Sequence, residues 1–495
     1  MKRTVLLTGA TGYIGRRFEK ILRTRPDIHL RLLVRHVQKF TQHPSSDVDI
    51  IEGDTLSLPI LQHALTGVHT AVYLVQPVEE NRRLSHLNQI SATHFLRACL
   101  TQGVKKIIYL SGLEAHGSGS SQIPSHTVTG KILSSRPDRI RTLWLRTGII
   151  IGSGSHSFEI LHDLVKKTPA MVMPRWAATK TRCIGVEDVI AYLNAALDVT
   201  PDENVTVNIG LPQITFLEML RQAAQVMGIR CRLLPGFPSA PRLSSSLLML
   251  LTRVSYQRAA ALIKALQAKA VDENTSANQY FPQIRLHPFP ETIRQALDEV
   301  HKDHVLSRWC DSTPGPVCDI DKPLTTNRKI FYDVRTISIT GIAPEQVFAI
   351  VTRIGGKNGW FSYSFLWNLR GWLDKIVGGY GVNRGRRKNY DLRIGDALDF
   401  WKVADLIPDK RLLLVAQLKL PGKGWLEFDI QQETLRQTAG FVPNGLMGYL
   451  YWYAVLPFHN LVFPRLCQQI ATRALKRQTS LSQKKVNAQH GNIDL

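Results

Sequence analysis

Val5-Leu6-Leu7-Thr8-Gly9-Ala10-Thr11-Gly12-Tyr13-Ile14-Gly15 decides the fold of this chain. The first four residues read as a short buried strand. Gly9, Gly12 and Gly15 follow at a spacing of three and lead into Arg16-Arg17-Phe18-Glu19-Lys20-Ile21-Leu22, a helical stretch. Strand, tight turn and helix N-terminus are thereby joined without a spacer. Gly9 permits turn dihedrals that a side chain forbids, Gly12 lets the backbone approach a pyrophosphate, and Gly15 lets the helix pack close to the strand. The unpaired N–H groups and partial positive charge of the helix N-terminus then face the phosphates, so the stretch points to a bound dinucleotide.

Outward from this turn, short apolar segments alternate with helical ones. His29–Val34, Asp49–Ile51, Thr70–Val75, Lys106–Leu110 and Arg141–Arg146 read as strands, and Leu84–Thr101 as a helix closed by Gly103. Such alternation predicts an α/β fold, a parallel sheet covered by helices on both faces, with ligands at the carboxyl ends of the strands. Arg35 directly follows the second strand, where an acidic residue would hold a ribose 2′-hydroxyl. An arginine there pairs with a 2′-phosphate and points to NADP, with NAD left open. Asp54, in Glu52-Gly53-Asp54, is placed to accept from an adenine amino group, and Ser111-Gly112 closes the fifth strand beside the expected nicotinamide.

Thr8–Gly15, Leu33-Val34-Arg35, Glu52-Gly53-Asp54 and Tyr109-Leu110-Ser111-Gly112 together resemble the atypical short-chain dehydrogenase/reductases of the NmrA-like group. Leu145–Gly152 and Gly185-Val186-Glu187-Asp188-Val189 continue the resemblance. Gly152–Glu159 and Met173-Pro174-Arg175-Trp176 are similar to the YbjT-like branch, in which an uncharacterised C-terminal domain follows. The resemblance implies a Rossmann-like domain with NAD(P) held by Gly9, Thr11, Gly12, Tyr13, Ile14, Gly15, Arg35, Asp54, Thr55, Leu74, Val75 and Ser111.

Enzymes of this superfamily pair a tyrosine acid/base with a lysine four residues on, beside a serine that holds the substrate oxygen. Ser111 is in place, and Lys131 is the lysine of the right region, but Thr127 stands where the tyrosine belongs. An aliphatic hydroxyl ionises far above neutral pH and cannot take that role. His126, with an ordinary pKa of about 6.5, is the substitute proton donor in reach. Two functions follow. In one, the protein is an NAD(P)-dependent oxidoreductase that reduces a carbonyl, a quinone or a similar small apolar electrophile. In the other, it binds the dinucleotide without chemistry, as a redox sensor or regulator.

The chain has 495 residues, enough for two or three domains, and 44% hydrophobic with 20% charged residues describes a folded protein. Its net charge of +23 suits an anionic partner: cofactor phosphates, acidic lipid or nucleic acid. The basic residues are scattered, with Arg384–Lys388 the dense cluster, so no specific nucleic-acid partner is expected. Six cysteines lack paired metal-ligand spacing, no metal site is expected, and no leader precedes the first strand; a reducing cytoplasmic setting is the expectation.

Ile190–Val300 is helical in flavour. It includes Thr215 and Glu218 at capping-box spacing and the apolar, sparsely basic stretch Ser244–Lys269, which reads as a cap over the sheet's substrate end or as an amphipathic surface helix pair, the cap being preferred. A first domain over 1–300, a linker over 301–329, a second domain over 330–480 and a mobile basic tail over 481–495 are predicted. In the second, Arg335–Ile339 alternates as a strand, Pro344 opens a helix, Gly355-Gly356 end it, and Leu412–Leu418 with Trp425–Ile430 form a hairpin. This element order, closed by a long helix, resembles the START/SRPBCC helix-grip fold, which implies an apolar cavity. Trp360, Phe361, Trp367, Trp372, Phe400, Trp401, Trp425, Trp452 and Phe458 are plentiful enough to line it, and a lipid, quinone or aromatic ligand is expected. Between Gln437 and Pro464 no residue is charged; Pro443, Asn444, Pro457, His459 and Asn460 argue against a span, leaving a buried helix that touches a bilayer surface at most.

Overall fold

The computed structural model describes residues 2–35, 37, 48–75, 82–113, 124–168, 170–235, 276–302, 305–307, 330–376, 386, 392–418 and 420–490, with isolated positions between 245 and 266. Most of the Ser244–Lys269 cap, of the 301–329 linker and of the Arg384–Lys388 cluster lies outside the described residues. The chain divides into two units, Met1–Thr313 and Pro314–Leu495.

In the first unit, the apolar run after Lys2 makes strand β1 (Arg3–Thr8), and helix α1 (Tyr13–Arg23) begins as soon as the glycine turn ends. β2 (Ile28–Val34), β3 (Val48–Glu52), β4 (Thr70–Tyr73), β5 (Lys106–Gly112) and β6 (Arg141–Thr147) alternate with α2 (Leu58–Leu65), α3 (Arg82–Thr101) and α4 (Ser125–Leu133). Gly103, at φ +69°, turns the chain after α3 as expected of a glycine just past a helix end. With β11 (Val205–Ile209) at one edge, the sheet runs β11-β6-β5-β4-β1-β2-β3 with every pair parallel. Strand order reverses between β1 and β4, which opens a crevice at their carboxyl ends. One face buries Phe18, Leu22, Leu193 and Ile184 against the sheet, the other Leu61, Phe95, Cys99 and Leu133. Each face is apolar because parallel strands covered on both sides have no solvated side.

The edge strand β11 (Val205–Ile209) lies in a region read from sequence as helical. Five residues with Asn208 among them carry too little pattern to announce a strand; pairing with β6 creates it. Lys106, at the start of β5, is 3% exposed, and its ammonium donates to the carbonyls of Ala196, Leu197 and Val199 at 2.8–3.0 Å. It thereby caps the C-terminal end of α6 (Val186–Ala196), where carbonyls lack helical partners.

Beyond β6 the chain builds a second layer from β7 (Ile149–Ile151), α5 (His156–Lys167), β8 (Ala170–Met173), β9 (Lys180–Thr181), β10 (Cys183–Gly185), β12 (Ile214–Thr215), α7 (Phe216–Val226), β13 (Arg232–Pro235), α8 (Ser276–Tyr280) and α9 (Phe289–His301). These close a separate core around Phe158, Leu161, Phe216 and Ile293. Thr215 caps α7 by accepting the Glu218 N–H at 3.0 Å, whereas the Glu218 carboxylate turns to Gln222, so half of the expected capping box forms.

The second unit is an antiparallel sheet ordered β14-β19-β18-β17-β16-β15, from β14 (Phe331–Ser338), β15 (Ala397–Leu398), β16 (Trp401–Ile407), β17 (Arg411–Ala416), β18 (Gly422–Ile430) and β19 (Thr434–Pro443). The helices are α10 (Pro344–Val351), with Pro344 in its first turn, α11 (Ser364–Ile376) and α12 (Gly445–His490). α12 packs on α10, β14 and β19. It continues through residues expected to be a mobile tail, because from Arg465 to His490 the sequence offers good helix formers and neither Pro nor Gly. Pro457 and Pro464 lie inside it and do not end it; the packed turns on either side hold the helix across the missing donors.

The aromatic residues proposed to line a cavity separate into groups. Trp360, Trp367 and Phe400 stack on one another as core, with centroids 4.5–6.3 Å apart. Trp425 packs in a different cluster, against Tyr332. Trp372 and Phe458 are more than half exposed and line nothing internal.

Beneath α12 a polar belt interrupts the apolar interior. Asp333, Gln437 and Cys467 are buried, the Cys467 thiol donating to Gln437 Oε1 at 3.2 Å, and His459 Nδ1 lies 3.5 Å from Asp333 Oδ2. Burial pushes the His459 imidazole down to about 4. An unfolded histidine titrates near 6.5, so between these values the unfolded chain takes up a proton that the native unit refuses. Stability is present above pH 6.5 and lost as pH falls towards 4. On the order of 3 kcal/mol separates the two limits. Urea titrations at pH 7 and pH 4.5 are expected to show this loss in the wild type and a visibly smaller one in His459→Gln.

Candidate nucleotide-binding site

The glycine turn is as tight as its spacing requires. Gly9 has φ +71°, and a Cβ there would lie 2.7 Å from the Leu74 carbonyl oxygen. A Cβ on Gly15 would stand 2.1 Å from the Gly9 carbonyl oxygen, and Gly12 N–H donates to that same oxygen at 2.8 Å. The turn is therefore folded onto itself and against the end of β4. Gly12 is the N-cap of α1, and no side chain caps that helix, so its first-turn amides keep their capacity for an anion. Thr11, Ile14, Leu74 and Val75 surround the turn, partly or nearly fully buried.

Tyr13 is oriented differently from the role its position suggests. Its hydroxyl donates to the Ser153 carbonyl at 3.1 Å and its ring is buried, so only its backbone is available to phosphates. One turn on, Arg17 is 2% exposed and ion-pairs Glu187 and Glu299, each at 2.8 Å, while donating to Ser153 Oγ at 2.9 Å. Its guanidinium lies 5.3 Å from the Tyr13 ring centre. This network, absent from the sequence reading, fastens α1 to the second layer. A hint was available: Arg17 falls four residues after Tyr13, on the helix face that the glycine turn directs inward.

Arg35 is exposed directly after β2. Asp54 accepts the Leu56 N–H at 3.0 Å, which organises its own turn. Thr55 is buried with its hydroxyl accepting from Ser91, itself bonded to Tyr73, so its side chain ties the turn after β3 to α3 rather than facing a ligand.

Ser111 is 1% exposed. Its hydroxyl donates to the Gly112 carbonyl at 2.9 Å and accepts the Trp144 indole N–H at 2.8 Å. Gly130 of α4 makes room for that indole: a Cβ there would lie 2.3 Å from the ring. Thr127 is buried and Lys131 is exposed in the last turn of α4. The His126 ring is the expected acid/base nearest β5, its Nε2 lying 3.8 Å from where a Gly112 Cβ would be. Tyr109, whose hydroxyl donates to the His126 carbonyl at 3.0 Å, and Tyr73 are also near, but burial pushes both phenols well above their usual range.

On the second-layer side, Asp188 is buried and accepts from His287 Nδ1 at 2.6 Å and from the His287 amide at 3.2 Å. Burial raises the Asp188 pKa, and the His287 contact opposes that rise. A cleft of about 500 Å³ near Gly210, past the end of β11, is bordered by Lys180, Arg182, Tyr192 and Leu286 and by none of the glycine-turn residues. Among the described residues no group of side chains is arranged to hold a metal ion.

Two family models match the chain. One, described as NAD(P)H-binding, spans residues 9–136; the other, a protein of unknown function (DUF2867), spans residues 326–466. Residues 9–136 thus form an NAD(P)H-binding domain. Among curated proteins, the auxiliary protein GraX of Staphylococcus aureus is 26% identical over 120 residues, which are 23% of this chain and 37% of that protein. The UDP-glucose 4-epimerase of Vibrio cholerae is 27% identical over 125 residues, 24% of this chain and 38% of the epimerase. The chain spans little more than a third of the length of these relatives. Among solved structures, the Citrobacter sp. triphenylmethane reductase complexed with NADP(H) aligns with TM-score 0.48 and 20% identity over 59% of this chain and 99% of that one. MoeE5 in complex with UDP-glucuronic acid and NAD aligns with TM-score 0.46 and 16% identity over 61% and 99%.

If the close approach at Gly15 is what admits the cofactor, Gly15→Ala separates α1 from the turn. Calorimetry is expected to show NADPH affinity reduced by at least about tenfold, with far-UV circular dichroism unchanged.

Proposed function

We propose that the first unit is an NADP(H)-dependent reductase that passes hydride to a carbonyl, a quinone or a similar small apolar electrophile. In this reading the diphosphate lies on the α1 amides at Gly12, Tyr13, Ile14 and Gly15, and Asp54 stands towards the adenine. Arg35 meets the 2′-phosphate. The observation that carries the reading is the environment of Gly112, at the end of β5: among the described residues it has an imidazole beside it, and burial raises the pKa of the nearby phenols of Tyr73 and Tyr109. An acceptor whose reduced form is a stabilised anion needs little proton help, and His126 supplies what is needed. When bound, the nicotinamide supplies the hydride; the chain positions it, shields it and offers one proton donor.

A second reading, a dinucleotide-binding sensor without turnover, is favoured by Ser111. A hydroxyl held between Trp144 and Gly112 is poorly placed to grip a substrate oxygen. For the second unit, the six-stranded antiparallel sheet crossed by a long C-terminal helix supports kinship with helix-grip folds, and a lipid or aromatic ligand is the corresponding proposal.

NADPH incubated with a quinone panel is expected to lose its nicotinamide absorbance, and His126→Ala to slow carbonyl acceptors by roughly tenfold or more while sparing quinones. Binding without turnover for any acceptor would establish the sensor instead. Arg35→Ala is expected to weaken NADPH by about tenfold in calorimetry and leave NADH unchanged.

A further inference from the structure

In the second unit two helices carry apolar residues on the face turned to solvent as well as on the buried one. On α11 the positions facing solvent are Phe365, Leu369, Trp372 and Leu373, spaced as one helical stripe and 47–64% exposed. On the first half of α12, Leu446, Leu450, Tyr453, Phe458 and Leu461 form a second stripe, 48–76% exposed. Both helices bury an opposite face, so these stripes are not cores left uncovered by mispacking: Trp367 and Trp452 are 8% and 5% exposed.

The two stripes belong to one surface. Ser362 Oγ donates to the Val462 carbonyl at 3.3 Å and Arg465 to the Tyr363 hydroxyl at 3.0 Å, at the start of α11. Further along, the Arg370 guanidinium bonds the Tyr451 hydroxyl and lies 5.2 Å from its ring centre. α11 therefore runs back along the apolar half of α12. With Met447 and Tyr449, eleven large apolar side chains are exposed among the described residues of α11 and the first half of α12. At about half exposure apiece they present roughly 1,000 Å², above the few hundred that a soluble monomer ordinarily shows.

Charge identifies the occupant. α12 contains no Asp or Glu over 46 residues; its six Lys and Arg all lie from Arg465 onward. Exposed Lys423 stands at the other end, on the β18 segment whose Pro421 carbonyl accepts the Asn444 amide just before α12. A platform whose stripe residues are uncharged, with Arg370 within it and cations at both ends, on a chain of net charge +23, would set like charges together if it met its own copy. An anionic bilayer offers the complement: acyl chains for the stripes and headgroups for the cations, with Trp372, Tyr449 and Tyr453 suited to the boundary between them. No helix among the described residues is long and apolar enough to cross a membrane. We infer that α11 and the first half of α12 seat the protein in the surface of an anionic lipid bilayer, lying in the interface plane without spanning it.

Flotation of the full chain tests this with vesicles of phosphatidylcholine alone and with about 30% phosphatidylglycerol added. Strong binding to the anionic vesicles, weaker binding to neutral ones and partial release at high salt are expected. Leu450→Glu with Phe458→Glu, and separately Leu369→Glu, should cut the bound fraction by roughly tenfold. Ile407→Glu, at a residue also exposed but on β16, should bind as the wild type. Thermal melts verify that each variant folds. Absence of binding to both vesicles overturns the inference, as does binding that the glutamates leave intact. So does a dimer, seen by light scattering, that the glutamates dissociate and that does not bind vesicles.

Discussion

The first unit depends on one approach of backbone to backbone. Gly15 lies so close to the Gly9 carbonyl that no Cβ fits, and Gly9 in turn lies against the end of β4. That contact draws the start of α1 into the crevice where strand order reverses, so uncapped amides and the open carboxyl ends of β1 and β4 meet at one place. A side chain at Gly15 would push the helix off the turn, and one at Gly9 would push the turn off the end of β4, so either separates the two features. The buried Arg17 network then holds the helix in that position from the far side. Its cation is costly to bury unless paired, and Glu187, Glu299 and Ser153 come from three distant segments to pair it.

The same fold places chemical restraint at β5. Trp144 fills the space beside Ser111 because Gly130 leaves it open; its indole N–H donates to the hydroxyl oxygen, while the Gly112 carbonyl takes the hydroxyl proton that a substrate oxygen would need. Tyr73 and Tyr109 are packed into the aromatic cluster with Phe95 and Trp144, where burial keeps their protons in place. Beside Gly112, among the described residues, stands the His126 imidazole.

Legibility in the sequence followed the range of the interaction. Glycines three residues apart and apolar runs of five or six declare a parallel α/β sheet because turn geometry and burial on both faces act locally. β1 to β6 fall where those runs lie. β11 did not announce itself, since its partner β6 sits some sixty residues away and its own pattern is short. Ser111, quoted correctly from its motif, could not be read as engaged without knowing that residue 144 pairs with it. Arg17 resembles any helix-surface arginine until Glu299, 282 residues later, is brought to it. Periodicity shows that α11 and α12 have an apolar stripe but not whether the stripe faces in or out, so Trp372 and Phe458 were assigned to an interior they do not line.

The exposed stripe of α12 has a physical counterpart on its inner face. Among the apolar residues that it buries, such as Val462, Phe463, Leu466 and Ile470, the helix sets His459 and Cys467 over Asp333 and Gln437. Polar groups in an interior demand particular partners in a way that Leu against Leu does not, so the belt fixes the seat of a long helix that apolar contact alone would let slide. The outer stripe is then presented at a constant height and rotation relative to the sheet. A helix that must offer a flat apolar surface outward gains more from a specific inner contact than from a greasier one. The proton-sensitive cost of burying His459 is the consequence of that choice.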